Sequence, residues 1–345
     1  MKILGIETSC DDTSIAVYDD NFGLLFCCTK SQSKIHSKYG GVVPEIASRL
    51  HFKNVFFLLN KLIKNKKIVK EEINAISYTV GPGLPGSLLV GATVANSLSY
   101  LWKIPIIFVN HMEAHLFSYM LDFKYFIKPK FPFLSLLVSG GHTQIVLAKS
   151  FGKYTILGNC LDDSAGEVID KISNMIGIKY PGGKKMSKLA KHGKSGVFSF
   201  PRPMINSNDL NFSFSGLKTH VTKVVLNSNI KNYQVKCNIA RELQNSIVSV
   251  LVKKCFKALK IMQLNKLVVS GGVSANIFLR KRIIDMSKKI KNCSVYFTKK
   301  NFCTDNGAMV AYLGMLYFKH NFYSSSKIFF SPKLSIVKNI YFDKC

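Results

Sequence analysis

The sequence has 345 residues, of which 47% are hydrophobic and 19% charged, and this composition excludes an intrinsically disordered chain. The length suits two lobes of ordinary size. The formal net charge of +29 favours contact with a polyanion such as a nucleic acid. Only five of the 48 basic residues are Arg, however, and such an excess of Lys is typical of A/T-biased codons. The charge therefore permits RNA binding without establishing it.

Cysteine usage and hydropathy indicate the compartment. The nine cysteines contain no C-x-x-C pair, and their odd number fits no simple disulfide framework, which predicts a reducing environment. Acidic residues at positions 7, 11 and 12 interrupt the N-terminus before any apolar signal-peptide region. Residues 73–102 carry no charge, but the Gly- and Pro-rich segment 81–86 divides them into a strand, a turn and a buried helix. We expect a cytoplasmic protein without a membrane segment.

The chain begins with a strand–turn–strand pattern. Residues 2–8 form a short apolar strand, 9–13 a polar turn and 14–18 a second strand, and a third strand is plausible at 24–28. Pro44 stands where a helix would start, and the helical pattern continues to about residue 64.

A similar hairpin recurs later, with strands at 133–138 and 143–148 around a turn at 139–142. Residues 266–270 then form a strand that leads through a Gly-rich turn into a helix ending at about Met286, and residues 193–211 are predicted as loop. Strands that alternate with helices predict an α/β fold, and the repeated hairpin suggests two related halves.

Three turns rich in Gly, Ser and Thr follow predicted strands, at 8–13, 139–143 and 270–276. Small residues at these places let backbone N–H groups approach a phosphate. A single such turn is more often only a turn. The three together resemble the two phosphate loops and the adenosine loop of the actin, sugar-kinase and Hsp70 superfamily.

The candidate metal ligands are His111 and His115, in a segment that is predicted to start a helix. Residues at i and i+4 share one helical face, so both imidazoles can reach one ion, although such a pair is often coincidental. A zinc peptidase would need H-E-x-x-H, whereas Glu113 lies two residues after His111 and faces away. The best candidate for a third ligand is Asp305, for which a simple helix N-cap is the alternative.

Two further segments could contact a ribose. Glu167 and Asp170 are three residues apart on one helical face and could bind hydroxyl groups or simply face solvent. Gly182 and Gly183 follow soon afterwards and would allow close approach of the backbone.

Ordered sequence blocks then identify a family resemblance. The chain resembles the bacterial tRNA adenosine N6-threonylcarbamoyltransferases (the TsaD family, formerly called glycoproteases) over nearly its whole length. The matching blocks are residues 5–13, 43–49, 81–92, 111–115, 137–143, 161–171, 212–219, 270–276 and 304–309. The tail after about Phe318 shows no useful match.

The resemblance implies a two-lobed actin-like fold with a nucleotide cleft between the lobes. We expect residues 1–110, completed by 305–345, to form the N-terminal lobe and residues 111–304 the C-terminal lobe. The resemblance also implies that His111, His115 and Asp305 bind a divalent metal ion, which is iron or alternatively zinc. The implied substrate-binding positions are Leu137, Val138, Ser139, Gly140, Gly141, Asp170, Gly183 and Asn276.

Departures from the family pattern occur at Lys184, Lys185 and Ser187, at the rim of the expected nucleotide pocket. Asp11 is a candidate general base, with a turn-forming role as the alternative.

The implied reaction transfers the threonylcarbamoyl group of threonylcarbamoyl-AMP to N6 of the adenosine 3′ to the anticodon, in tRNAs that read codons starting with A. AMP is released. The implied partners are tRNA, a scaffold paralogue (TsaB-like) and a small ATPase (TsaE-like). The alternatives are an actin-like ATPase or kinase, a metallo-endopeptidase and a non-catalytic scaffold paralogue.

Overall fold

The computed structural model describes residues 1–64, 69–121, 129–325, 327–338 and 341. The chain divides into two compact units, Met1–Phe126 together with Thr304–Cys345, and Ile127–Cys303. The lobe boundary expected after residue 110 falls inside the first unit, because the helix that begins at His111 packs against the last helix of the chain. The return to the first unit at residue 304 lies next to the return expected at 305.

The secondary structure of the described residues alternates between strands and helices. The strands are β1 (Lys2–Glu7), β2 (Asp12–Asp19), β3 (Gly23–Ser31), β4 (Ile73–Gly81), β5 (Ile106–Asn110), β6 (Phe133–Val138), β7 (Thr143–Ser150), β8 (Lys153–Asn159), β9 (Lys266–Ser270) and β10 (Ser294–Phe297). The helices are α1 (Ser33–His36), α2 (Pro44–Ile63), α3 (Pro85–Trp102), α4 (His111–Phe117), α5 (Ala165–Met175), α6 (Gly183–His192), α7 (Ser215–Leu226), α8 (Tyr233–Ile261), α9 (Ile277–Ser287) and α10 (Gly307–Lys319). Short 3₁₀ segments are Lys70–Glu72, Ser118–Leu121, Gly272–Ala275 and Lys300–Phe302.

The two sheets share one strand pattern. The sheet of the first unit has the order β3-β2-β1-β4-β5, with β1, β2 and β3 antiparallel and with β4 and β5 parallel to β1. The sheet of the second unit has the order β8-β7-β6-β9-β10, with the same antiparallel hairpins and two parallel strands. The α/β class and the two related halves predicted from the repeated hairpins are therefore confirmed.

Helical periodicity explains how α2 packs on the first sheet. Val55, Leu58, Leu59 and Leu62 recur at the spacing of one helical face, and all four are buried in the core with β1 and β4. Burying such a side chain stabilises the fold by about 1.5–3 kcal/mol. The helix begins at Pro44, which has no amide hydrogen to satisfy in the first turn.

The C-terminal tail returns to the carboxyl ends of β4 and β5. The Tyr78 hydroxyl donates to the Phe329 carbonyl over 2.7 Å, and the Ser331 amide donates to the Val80 carbonyl over 2.7 Å. The Phe108 amide donates to the hydroxyl of Tyr341 over 2.6 Å. The tail, for which we expected no useful family match, thus packs against the core of the first unit.

Candidate functional site

Helix α4 carries the two candidate histidines and is capped by the residue before it. Asn110 ends β5, and its side-chain oxygen accepts hydrogen bonds from the amides of Met112 (2.9 Å) and Glu113 (3.2 Å). This cap starts the helix at His111. One turn later His115 lies on the same face, with its ring centroid 4.7 Å from that of His111. Both side chains are buried.

Asp305 reaches these histidines from the segment before α10. Its Oδ1 lies 3.0 Å from Nε2 of His115 and 3.5 Å from Nε2 of His111. Asn306, not Asp305, caps α10, because its side-chain oxygen accepts from the Met309 amide over 2.9 Å. The N-cap alternative for Asp305 is therefore wrong, and its carboxylate lies beside the two imidazoles.

Glycines allow α10 to approach the first sheet closely, and this approach brings Asp305 beside His111 and His115. A Cβ atom on Gly5 would lie 2.5 Å from the Ala311 nitrogen and from the Gly307 carbonyl oxygen. A Cβ atom on Gly307 would lie 2.8 Å from the Ala16 nitrogen. Any larger residue at these positions of β1 and α10 would push the helix outward.

Glu7, at the end of β1, orients the His111 ring. Its Oε2 lies 3.1 Å from Nδ1 of His111 and also accepts from the Thr79 hydroxyl over 2.6 Å, while Oε1 accepts from the Ser9 amide over 2.6 Å. A proton held on Nδ1 leaves Nε2 of His111 turned toward Asp305. Glu7 is fully buried, so this carboxylate is fixed by its partners.

The charges of this group are mutually dependent. Burial alone would raise the pKa of Glu7, but the His111 charge and the hydrogen bonds from His111 and Ser9 lower it below the ordinary value. Burial alone would lower the pKa of His111, whereas Glu7 and Asp305 together raise it to about 9. The two carboxylates therefore favour the positively charged form of the His111 ring.

These atoms form a set that could hold a metal ion. One ligand atom from each of His111, His115 and Asp305 lies within 4.8 Å of the others. Ligand atoms in a tetrahedral site of N and O donors are about 3.4 Å apart, close to the two distances from the Asp305 oxygen. The pairing of a ligating histidine with a second carboxylate is also usual for metal sites. The donor set thus fits a divalent metal, and its identity stays a prediction.

Glu113 is turned away from this cluster. It is buried, and its carboxylate accepts a hydrogen bond of 2.6 Å from the Tyr317 hydroxyl on α10. Glu113 therefore cannot act as a peptidase base beside the metal, as the i, i+2 spacing predicts.

Asp11 and Asp12 lie where the β1–β2 hairpin turns. The Asp11 carbonyl accepts from the Gln32 amide over 3.0 Å, a contact that continues the β2–β3 pairing beyond Asp12 and Ser31. Asp12 starts β2, and burial, followed by the charges of nearby carboxylates, raises its pKa to about 7 against the opposing hydrogen bond of Ser31. A pKa near neutrality suits a general base, so Asp12 joins Asp11 as a candidate.

In the second unit, the predicted phosphate turn follows β6. Leu137 and Val138 are buried at the end of that strand, whereas Gly140 and Gly141 are exposed, with open space where a side chain would stand. The Ser139 amide is already bonded to the His142 carbonyl over 2.8 Å. In the described part of the chain, the amides of Gly140 and Gly141 have no such partner, so they are the donors available to a ligand.

The other predicted substrate positions are joined to this turn. Gly271, which follows the neighbouring parallel strand β9, packs against the Val138 backbone and leads to Asn276. Asn276 caps α9 and donates to the Gln244 side chain over 2.9 Å. The carboxyl ends of parallel strands are where α/β proteins bind ligands.

Asp170 on α5 is connected to the glycines before α6. Its Oδ1 accepts from the Gly182 amide over 2.7 Å, which places it beside Gly183. Glu167 instead forms an ion pair of 2.6 Å with Lys171, so the solvent-facing alternative applies to Glu167 alone.

Sequence reasoning missed Glu7, Ser9 and Thr79 as part of the histidine site. A single acid in an otherwise apolar strand is the signal that could have identified Glu7, because a buried carboxylate requires partners. The identity of its partner depended on a contact across 104 residues, which no local pattern contains.

The chain is similar over nearly its whole length to proteins of known family. The family model for tRNA N6-adenosine threonylcarbamoyltransferase matches residues 23–312. The chain belongs to this family. It is 54% identical over 341 residues to the enzyme of that name from Buchnera aphidicola subsp. Schizaphis graminum, covering 99% of this chain and 100% of the relative. It is 50% identical to that from Wigglesworthia glossinidia brevipalpis, covering 97% and 98%. The chain is therefore a transferase of the tRNA-modifying class.

Solved structures with low identity confirm the fold. HypF from T. kodakarensis matches with a TM-score of 0.61 at 12% identity, covering 95% of this chain and 48% of that one. The activator of the 2-hydroxyisocaproyl-CoA dehydratase from Clostridium difficile matches with a TM-score of 0.53 at 12% identity, covering 93% and 97%. These likenesses confirm the predicted actin-like fold class. Among the described residues, no helix has the length and apolar character needed to cross a membrane.

Proposed function

We propose that the chain transfers the threonylcarbamoyl group of threonylcarbamoyl-AMP to N6 of the adenosine 3′ to the anticodon, in tRNAs that read codons starting with A, and releases AMP. The observation that carries this proposal is the His111, His115 and Asp305 cluster in a member of the threonylcarbamoyltransferase family. We expect the reaction to take place in the cytoplasm, with a TsaB-like scaffold paralogue and a TsaE-like ATPase as partners.

The first unit would bind the metal, and Fe²⁺ is the ion we propose, with Zn²⁺ as the alternative. When bound, the ion would supply Lewis acidity and a template that polarises the threonylcarbamoyl group. Glu7 would keep the proton of His111 on Nδ1, so that Nε2 stays available. Asp11, or Asp12 with its raised pKa, would accept the proton that the adenosine amine loses.

The second unit would bind the adenylate. The amides of Gly140 and Gly141 would hold the phosphate or the oxyanion that develops as the amine attacks. Asp170 would hold the Gly182–Gly183 turn against the ribose, since it already bonds the Gly182 amide. Asn276, at the start of α9, would contact the nucleotide where a helix N-terminus favours an anion.

The acceptor adenosine lies in a single-stranded loop, so it can enter the site without melting a duplex. An amine then attacks an activated mixed anhydride. Besides what the ion would supply, the protein would contribute a carboxylate that accepts the proton and amides that stabilise the oxyanion.

The test is AMP release from threonylcarbamoyl-AMP by the metal-depleted full chain with its two partner proteins. We expect release that requires tRNA and returns when Fe²⁺ is added, with Zn²⁺ and Mg²⁺ compared at equal concentration. Release that does not require tRNA would contradict the proposal. Steady ATP turnover by the chain alone, without its partners, tRNA or metal, would favour an actin-like ATPase.

A further inference from the structure

Helix α6 carries a lysine face that the proposed reaction chemistry does not use. Lys184, Lys188 and Lys191 recur at i, i+4 and i+7, and all three are exposed. At about 100° per residue they occupy one narrow arc of the helix. The buried residues Met186 and Ala190 lie on the opposite side, facing α8. The three ammonium groups therefore lie on the solvent-facing side of α6.

These lysines contrast with two lysines of the same unit that hold a loop in place. In the part of the chain that the structure describes, none of the three lies within ion-pair distance of a carboxylate, and α6 itself contains no acid. By contrast, Lys254 on α8 donates to Ser207 and Asp209, and Lys257 donates to the carbonyls of Ser207 and Asn208. Those two ammonium groups hold a loop, whereas the α6 ammonium groups remain available.

The surface beside this face suits a nucleic acid with unpaired bases. Lys185 and Lys188 line a groove together with Ile178, Leu189, His192 and Tyr233. The Tyr233 side chain is 59% exposed. An exposed aromatic ring next to cationic groups is the combination with which proteins bind single-stranded RNA, phosphates on the lysines and a base on the ring.

The position of α6 connects this face to the proposed adenylate site. The helix begins at Gly183, next to the Gly182 amide that Asp170 binds. RNA bound along the helix would therefore lie beside the nucleotide whose acyl group it receives.

We propose that the lysine face of α6, defined as Lys184, Lys188 and Lys191, binds the phosphate backbone of the tRNA. This inference rests on the proposed function only in naming tRNA as the RNA, because the charge and the aromatic groove by themselves already indicate RNA. It assigns part of the +29 charge to a local purpose, while the rest remains a general property of the composition.

The experiment compares the full chain with two triple variants in direct binding to unmodified tRNA over a series of salt concentrations. One variant is Lys184→Gln, Lys188→Gln, Lys191→Gln. The matched control is Lys260→Gln, Lys289→Gln, Lys291→Gln, which removes the same charge from exposed positions. Lys260 lies at the end of α8, about 35 Å along the helix from Cys237, which packs against Gly193 at the end of α6.

We expect the α6 variant to lose about tenfold or more in tRNA affinity at about 0.1 M salt. Its salt slope should fall by about 2 to 3, since each lost phosphate contact removes about 0.7 to 0.9. The control should stay within about threefold of the original chain. A variant with arginine at all three α6 positions should bind like the original chain, because it keeps the charge.

Three results would overturn the inference: an α6 variant that binds as the original chain does, equal losses in the two triple variants, or an original chain without salt-dependent binding. Loss of binding to anionic lipid vesicles without loss of tRNA binding would also overturn it, in favour of a membrane surface. Binding is measured without threonylcarbamoyl-AMP, so the failure of the transfer reaction would leave this result standing, and the reverse also holds.

Discussion

Glu7 decides how His111 presents its ring to the metal cluster. The carboxylate is fully buried, and the Thr79 hydroxyl and the Ser9 amide hold it in place. Its position therefore depends on the first sheet and not on the mobility of a surface side chain. A ligating histidine whose other nitrogen is bonded to a carboxylate is both oriented and made more basic.

We predict that Glu7→Gln lowers metal affinity by about 10- to 100-fold. The amide keeps the size of the side chain but removes the negative charge that holds the Nδ1 proton of His111. The measurement is a titration of Zn²⁺ against a competing chelator, with the circular dichroism of each variant recorded to check folding.

The control for this titration is Glu45→Gln, the same chemical change at an exposed residue of α2 that pairs with Arg49. We expect its affinity to equal that of the original chain. If Glu7→Gln also bound the metal as tightly as the original chain, the proposed orienting role of Glu7 would be wrong.

At the scale of the elements, local patterns predicted what local chemistry controls. The i, i+4 spacing of His111 and His115 was sufficient to predict a shared helical face, and the Gly-rich turns were sufficient to predict strand ends. The sequence made Asp305 a candidate for the third ligand. Its distance to the imidazoles, however, depends on Gly5 and Gly307, which let α10 lie close to β1 and β2. Such contacts are absent from any local pattern because they join distant parts of the chain.

Asp162 organises the start of α7 in a way that sequence did not indicate. Its Oδ2 accepts from the hydroxyls of Ser213 (2.5 Å) and Ser215 (2.7 Å), and its Oδ1 accepts from the Phe214 amide over 2.7 Å. Burial alone would raise the pKa of Asp162, but these hydrogen bonds lower it below the ordinary value. The ionised carboxylate thus satisfies amides that the helix leaves without partners.

We predict that Asp162→Asn destabilises the chain by about 1 kcal/mol at pH 7, because the neutral amide makes weaker hydrogen bonds and loses the favourable charge at the start of α7. A carboxyl whose pKa is lowered by folding stabilises the folded state above its unfolded pKa of about 3.9, and this contribution is lost as the pH falls through the folded value. The difference between the two chains should therefore shrink below about pH 4. Urea unfolding at pH 7, 5 and 3 measures it.

Asp285→Asn is the matched control for Asp162→Asn, because Asp285 is exposed and has only a distant lysine partner, 3.9 Å away. It should change the stability little at any of the three pH values. An Asp162→Asn deficit as large at pH 3 as at pH 7 would show that the charge of the carboxylate is not what stabilises α7.

At the scale of the whole molecule, two units with one strand pattern divide the proposed work. The first unit contains the His111, His115 and Asp305 cluster, and the second contains the turn after β6 and the α6 lysine face. The repeated hairpins predicted this duplication, and the strand orders of the two sheets confirm it. The solved structures of similar fold share only 12% identity with the chain. The central strands are buried along almost their whole length, and such apolar runs depend on residue class and not on identity.

The most direct test of the transfer claim is mass spectrometry of the nucleosides from tRNA incubated with threonylcarbamoyl-AMP, the chain and its two partner proteins. We predict N6-threonylcarbamoyladenosine with the original chain and with the control His220→Ala, His320→Ala, whose side chains are exposed. We predict none with His111→Ala, His115→Ala. Formation of the modified nucleoside by that last variant at the original rate would contradict the role of the cluster. Its absence with every chain, while the Buchnera relative produces it under the same conditions, would contradict the transfer itself.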